Sequence, residues 1–101
     1  MTVAKAQYTL DDLWNWPQDG MRHELIDGEV TTIAPSGWDH GVAVSDIGIL
    51  VGSYVRSRRL GVTVGAETGF IVRQNPDTVL APDFAFVRAA RLPAKPYPVK
   101  P

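Results

Sequence analysis

Val79-Leu80-Ala81-Pro82-Asp83-Phe84-Ala85-Phe86-Val87 is the stretch whose reading decides the fold. It is apolar on both sides of a single acid. Phe84 to Val87 show no polar alternation, which predicts a strand buried on both faces. Pro82 can open such a strand but cannot donate a hydrogen bond within it. An acid at the mouth of a buried strand is costly unless it is paired, hydrogen-bonded or on a metal. Asp83 is therefore the leading functional candidate.

Upstream of this stretch, Gln74-Asn75-Pro76-Asp77-Thr78 has turn chemistry. Phe70–Arg73 and Val62–Glu67 read as strands, with a break or bulge at Thr68-Gly69. A long helix is expected before them, over about Gly37–Leu60, with Ser36 and Asp39 at capping spacing and Gly61 closing its end. Val44, Ile47, Val51 and Tyr54 or Val55 form one apolar stripe on it. Gly41, Ser45, Gly48 and Gly52 form a second stripe of small residues. Each helical glycine costs about 1 kcal/mol against alanine, so this stripe points to a close approach by a neighbouring element. Arg56, Arg58 and Arg59 crowd the last turn, where they complement the helix dipole. Phosphate contact is the functional alternative. His40 lies in the first turn, where a lone histidine is ordinarily a local hydrogen-bonding residue.

Nearer the N-terminus, Thr9 and Asp12 have the spacing of a capping box, and the helix they open is expected over Leu10–Trp16, stopping at Pro17. Trp14 and Trp16 are better read as core or lid packing than as base-stacking residues. Arg22–Ile26 and Glu29–Ile33 flank Asp27-Gly28, a strong signal for a two-residue hairpin with a type I′ turn. Glu24 lies on the first of these strands. It gains functional interest if the fold brings it to Asp83.

At 101 residues the chain is one domain at most. Without cysteine it has no disulfide framework and no thiolate metal site. No apolar run is long enough to span a membrane, and Met1–Ala6 is too short and too polar for a signal peptide, so a cytoplasmic protein is expected. The net charge of −1 conceals an asymmetry. Residues 1–55 carry eight acids and two bases, whereas residues 56–101 carry three acids and eight bases. Complementarity within one fold accounts for this. The sharper reading is an acidic metal-binding side and a basic phosphate-binding side. Leu92–Pro101 holds four prolines and reads as an extended tail or linker, leaving residues 8–91 as the folded part.

The order of these segments resembles the putative restriction endonuclease family of the PD-(D/E)XK nuclease superfamily. The segments that carry the resemblance are Tyr8–Leu13, Glu24-Leu25-Ile26-Asp27-Gly28-Glu29, Pro35-Ser36 with His40, the long helix, and Val79–Val87. The resemblance implies an α+β fold: a short N-terminal helix, a β-hairpin, and one long helix packed on a mixed or antiparallel sheet. It further implies cleavage of DNA with Mg²⁺ or Mn²⁺. Asp83 maps onto the metal-ligating aspartate, Glu24 onto the glutamate completing the acidic site, and His40 onto the histidine opening the long helix. The superfamily pattern also asks for a later strand with Asp/Glu-x-Lys. After Asp83 there is no acid, and the lysines there are Lys95 and Lys100. The expectation is therefore an incomplete restriction endonuclease-like core, truncated and inactive. The alternatives are a non-catalytic binding module or a structural fragment, with an exposed strand edge promoting a homo-oligomer.

Overall fold

The computed structural model describes residues 7–101. The reading of Met1–Ala6 as too short and too polar for a signal peptide concerns residues outside them. In chain order the elements are α1 (Leu10–Trp14), β1 (Arg22–Ile26), β2 (Glu29–Ile33), α2 (Trp38–Arg58), β3 (Gly61–Val64), β4 (Phe70–Arg73), β5 (Thr78–Leu80), β6 (Ala85–Arg88) and a 3₁₀ turn, Ala89–Arg91. The class is α+β, with a short N-terminal helix, a hairpin, a long helix and antiparallel sheets. No helix among the described residues is long and apolar enough to cross a membrane. The chain divides into two units.

The first unit takes the residues up to Pro35, then Gly69–Ala81 and Lys100–Pro101. Its sheet runs β2-β1-β5-β4, antiparallel throughout. The hairpin forms as expected: Asp27 (φ 47°) and Gly28 (φ 79°) both adopt positive φ, and Ile26 faces Glu29. Its turn is held from outside. Gly28 N–H donates to the Asp77 carbonyl (2.9 Å), and Asp27 N–H donates to Thr78 Oγ1 (3.0 Å). Leu25 is fully buried opposite Val79, and Ala81 is buried as well. At α1 the capping box is present: Asp12 N–H donates to Thr9 Oγ1 and Thr9 N–H to Asp12 Oδ2. The helix ends at Trp14, capped by Asn15, whose side-chain nitrogen joins its backbone N–H on the Asp11 carbonyl, and Trp16 N–H tightens to the Leu13 carbonyl. Trp16 packs edge-on against Tyr8 (5.3 Å) and tilted against His23 (5.9 Å), while Trp14 stays half exposed. Asp19 accepts from Met21 N–H and lies against His23 Nε2. These two contacts, the first above all, hold its carboxyl below the usual range.

The second unit takes Ser36–Thr68 and Pro82–Val99. In it β3 and β6 pair antiparallel, Gly61 opposite Arg88 and Val64 opposite Ala85. The helix differs from expectation at both ends. Its N-cap is Gly37, which has no side chain to bond the first turn, so the Ser36–Asp39 capping spacing goes unused. At the other end Arg59, not Gly61, takes the left-handed conformation (φ 52°), and Leu60 N–H returns to the Val55 carbonyl. Gly61 has a different task. A Cβ there would lie 2.0 Å from the Val87 carbonyl oxygen, so the strand pair closes only over a bare α-carbon.

The inward face of α2 keeps only part of the predicted apolar stripe. Val55 is buried and Val44, Gly48 and Gly52 are half-buried, whereas Ile47, Val51 and Tyr54 remain exposed. The small residues carry the close packing: a Cβ on Gly48 would meet the Phe84 ring, and one on Gly52 would meet Thr63 Oγ1. β3 ends at Val64, not Glu67, whose positive φ (68°) takes the chain out of the extended region. The run Val79–Val87 is two strands in two sheets, not one. Pro82 offers no N–H, and the chain bends at Asp83-Phe84 before β6. Nor is β6 buried on both faces: Ala85 and Val87 are half-buried, while Phe86 and Arg88 are exposed, the alternation of a one-sided strand.

These two glycine environments give opposite expectations. Gly61→Ala should lower stability by about 1–3 kcal/mol or more, since the obstruction is backbone. Gly41→Ala, with open space around the added methyl, should raise it by up to about 1 kcal/mol. Urea denaturation of both variants checks the pair.

Candidate active site

Glu24 sits in the middle of β1, opposite Thr31, with its side chain half-buried. Its Oε2 accepts a 2.7 Å hydrogen bond from the Ala81 backbone N–H. Ala81 follows the last residue of β5, is itself buried, and precedes a proline. Its N–H therefore needs a partner within the protein, and the carboxylate is that partner. A charge-assisted bond to a backbone amide is among the stronger hydrogen bonds. The other carboxylate oxygen of Glu24 makes no hydrogen bond among the described residues.

Asp83 sits at the bend that leads into β6. His40, the third residue of α2, places Nε2 3.0 Å from Asp83 Oδ2. A carboxylate only accepts, so the pair as a hydrogen bond requires the proton on Nε2. Both side chains keep partial access to water, with relative exposures of 46% and 34%. The first turn of α2 thus fixes the orientation of an acid that enters from another strand.

Each contact lies within its own unit: Glu24 with Ala81 in the first, His40 with Asp83 in the second. Arg56, Arg58 and Arg59 lie at the opposite end of α2 from His40, all exposed. Carboxylate oxygens are the right donors for a hard dication such as Mg²⁺, which commonly takes one or two of them beside phosphate oxygens and water. The donor type therefore suits such an ion. Among the described residues, however, no three His, Asp or Glu side chains converge on one point.

Two contributors escaped the sequence reading. The Ala81 N–H is a backbone group and leaves no trace in residue type. Asp77 was read as an ordinary turn residue, yet its Oδ2 accepts from Leu10 N–H at 2.9 Å and its carbonyl from Gly28 N–H. It joins α1 to the hairpin that carries Glu24.

A family model described as Uma2, putative restriction endonuclease, matches residues 10–101. The chain belongs to this restriction endonuclease-like family. No curated protein matches it.

If Glu24 is the required acceptor for Ala81, Glu24→Ala should destabilise the protein by about 1–3 kcal/mol by leaving the amide unsatisfied. Glu24→Gln keeps an acceptor oxygen and should cost clearly less. Equal losses in urea denaturation would count against the assignment.

Proposed function

We propose that the chain carries the acidic part of a metal-dependent DNA endonuclease site, with Asp83 and Glu24 as its carboxylates and His40 as the residue that orients Asp83. The observation that carries this reading is the anchoring of Ala81 by Glu24 two residues before Asp83. Ala81 and Asp83 are two peptide units apart, so their α-carbons are within about 7 Å by covalent geometry alone. Among the described residues the second oxygen of Glu24 has no hydrogen bond to give up on binding an ion, and the Pro82 ring stiffens the connection. Membership of the restriction endonuclease-like family supports a nucleic-acid substrate.

Mg²⁺ or Mn²⁺, when bound, would activate water and stabilise charge on a phosphodiester. The chain's own residues have narrower tasks. His40 keeps one Asp83 oxygen directed. The Ala81 N–H keeps one Glu24 oxygen directed and lowers the cost of holding that carboxylate charged in a half-buried place. Two carboxylates do not complete a hydrolytic site, and the only lysines among the described residues are Lys95 and Lys100. We therefore expect these 101 residues to bind the ion without cleaving DNA efficiently. A second feature favours self-association: among the described residues β6 pairs with β3 alone, so each strand of that sheet keeps an unpaired edge.

Calorimetric titration with Mn²⁺ tests the site. Asp83→Asn should abolish binding, and His40→Gln should weaken it about tenfold, the scale for losing a group that orients a ligand. Binding unchanged by Asp83→Asn would overturn the reading. Efficient plasmid cleavage that is lost in Asp83→Asn would support the site while overturning the inactivity. Light scattering on the same sample should give a dimer or larger, and a monomer at high concentration would overturn the self-association.

A further inference from the structure

The second unit is electrically polarised. Asp39 occupies the first turn of α2, Glu67 follows the end of β3, and Asp83 precedes the start of β6. The antiparallel pairing of β3 with β6 puts the last two at one end of that strand pair, and the His40–Asp83 contact puts the start of α2 there too. At the other end are the arginines. Arg56, Arg58 and Arg59 close α2, Arg88 pairs with Gly61 at the start of β3, and Arg91 ends the 3₁₀ turn. Ala89 N–H donates to the Leu60 carbonyl (2.8 Å), which ties that turn to the end of the helix. From His40 to Arg56 is 16 residues of α2, about 24 Å of helical rise.

The helix dipole accounts for a basic residue or two in the last turn of α2. It does not account for Arg88 and Arg91, which lie outside the helix. All five arginines are exposed. None of them forms an ion pair with a carboxylate among the described residues. The contact that does order one is with a neutral ring: the Arg58 guanidinium lies 4.5 Å from the centre of the Tyr54 ring, a cation–π contact. Asp46, the nearest acid of this unit along α2, is 10 residues before Arg56, about 15 Å. Five like charges gathered without a counter-charge repel one another, and a row of phosphates relieves that repulsion. The planar fork of arginine matches phosphate oxygens in pairs.

We propose that this arginine pole is a docking surface for the phosphate backbone of duplex DNA, separate from Asp83 and placed about 24 Å along α2 from it. It rests on the reading of the chain as a DNA-acting protein and adds where the polymer is held. The surface contacts backbone and not base edges, so it contributes affinity and register without sequence preference. Its strength falls steeply with salt, by release of counterions from the DNA.

The test is fluorescence anisotropy of a labelled mixed-sequence duplex with the whole 101-residue chain, without divalent metal, between about 50 and 200 mM salt. Contact by all five arginines gives a log–log slope near about −4.5, or an affinity loss of about 500-fold over that range. Each arginine replaced by Gln should reduce the slope by about 0.9. The corresponding Lys variants keep the charge and should keep the slope. Lys100→Gln removes a charge from the first unit, where Lys100 pairs with Asp11, and should leave it unchanged. A slope insensitive to the Gln substitutions, equal losses in the Lys and Gln variants, or equally tight binding of a poly-glutamate peptide would each overturn the inference. Because no metal is present, such a failure leaves the carboxylate proposal standing. Arginine-dependent DNA binding, together with Mn²⁺ affinity unchanged by Asp83→Asn, would overturn the carboxylate proposal alone.

Discussion

A buried backbone N–H must find an acceptor, and at Ala81 the acceptor is Glu24. The sheet ladder cannot serve there. β5 has ended at Leu80, and Ala81 is followed by Pro82, which adds no donor before the chain bends at Asp83-Phe84. The 2.7 Å bond from Ala81 to the Glu24 carboxylate therefore settles two matters at once. It ends the strand without an orphaned amide, and it gives a charged side chain a reason to lie half-buried on β1. The hairpin that carries Glu24 is steadied in turn by Asp77, which precedes β5, and by Thr78, its first residue. A short run of sequence thus supports the acid, donates a hydrogen bond to it and leads on to Asp83.

The second unit follows a different economy. Its helix meets its strands through glycine, since Gly48 faces Phe84 and Gly52 faces Thr63. Large side chains on that seam would force the elements apart, and Ile47, Ile49, Leu50, Val51 and Tyr54 of α2 remain exposed. The same close approach recurs at Gly61, where only a hydrogen fits against the Val87 carbonyl. Tight packing of α2 against the strand pair keeps its two ends chemically distinct. One end presents His40 to Asp83, and the other gathers arginines.

Where local chemistry decides the conformation, the residues announce it. Asp27-Gly28 between two strand-like runs defines a type I′ hairpin, because both positions need positive φ. Thr9 and Asp12 define a capping box by spacing alone. Where the deciding partner is remote, the residues are silent. The inward face of α2 is hidden because glycines, and not the bulky stripe, carry much of it. The division of Val79–Val87 is hidden because Ala81-Pro82 continues the apolar character of a strand whose hydrogen bonding has already ended. At the candidate site, Asp83, Glu24 and His40 are legible as residue types. The contacts of Asp83 with His40 and of Glu24 with a backbone amide depend on separations of 43 and 57 residues, which no local pattern encodes.

The central proposal is that Glu24 and Asp83 are carboxylates of one metal site. Paramagnetic broadening by Mn²⁺ in a backbone-assigned NMR spectrum tests it most directly. The account predicts that substoichiometric Mn²⁺ broadens the amide signals of Glu24, Ala81 and Asp83 together, and that Glu24→Gln and Asp83→Asn each relieve the broadening at all three. Broadening confined to Asp83 and the first turn of α2, unaffected by Glu24→Gln, would contradict it.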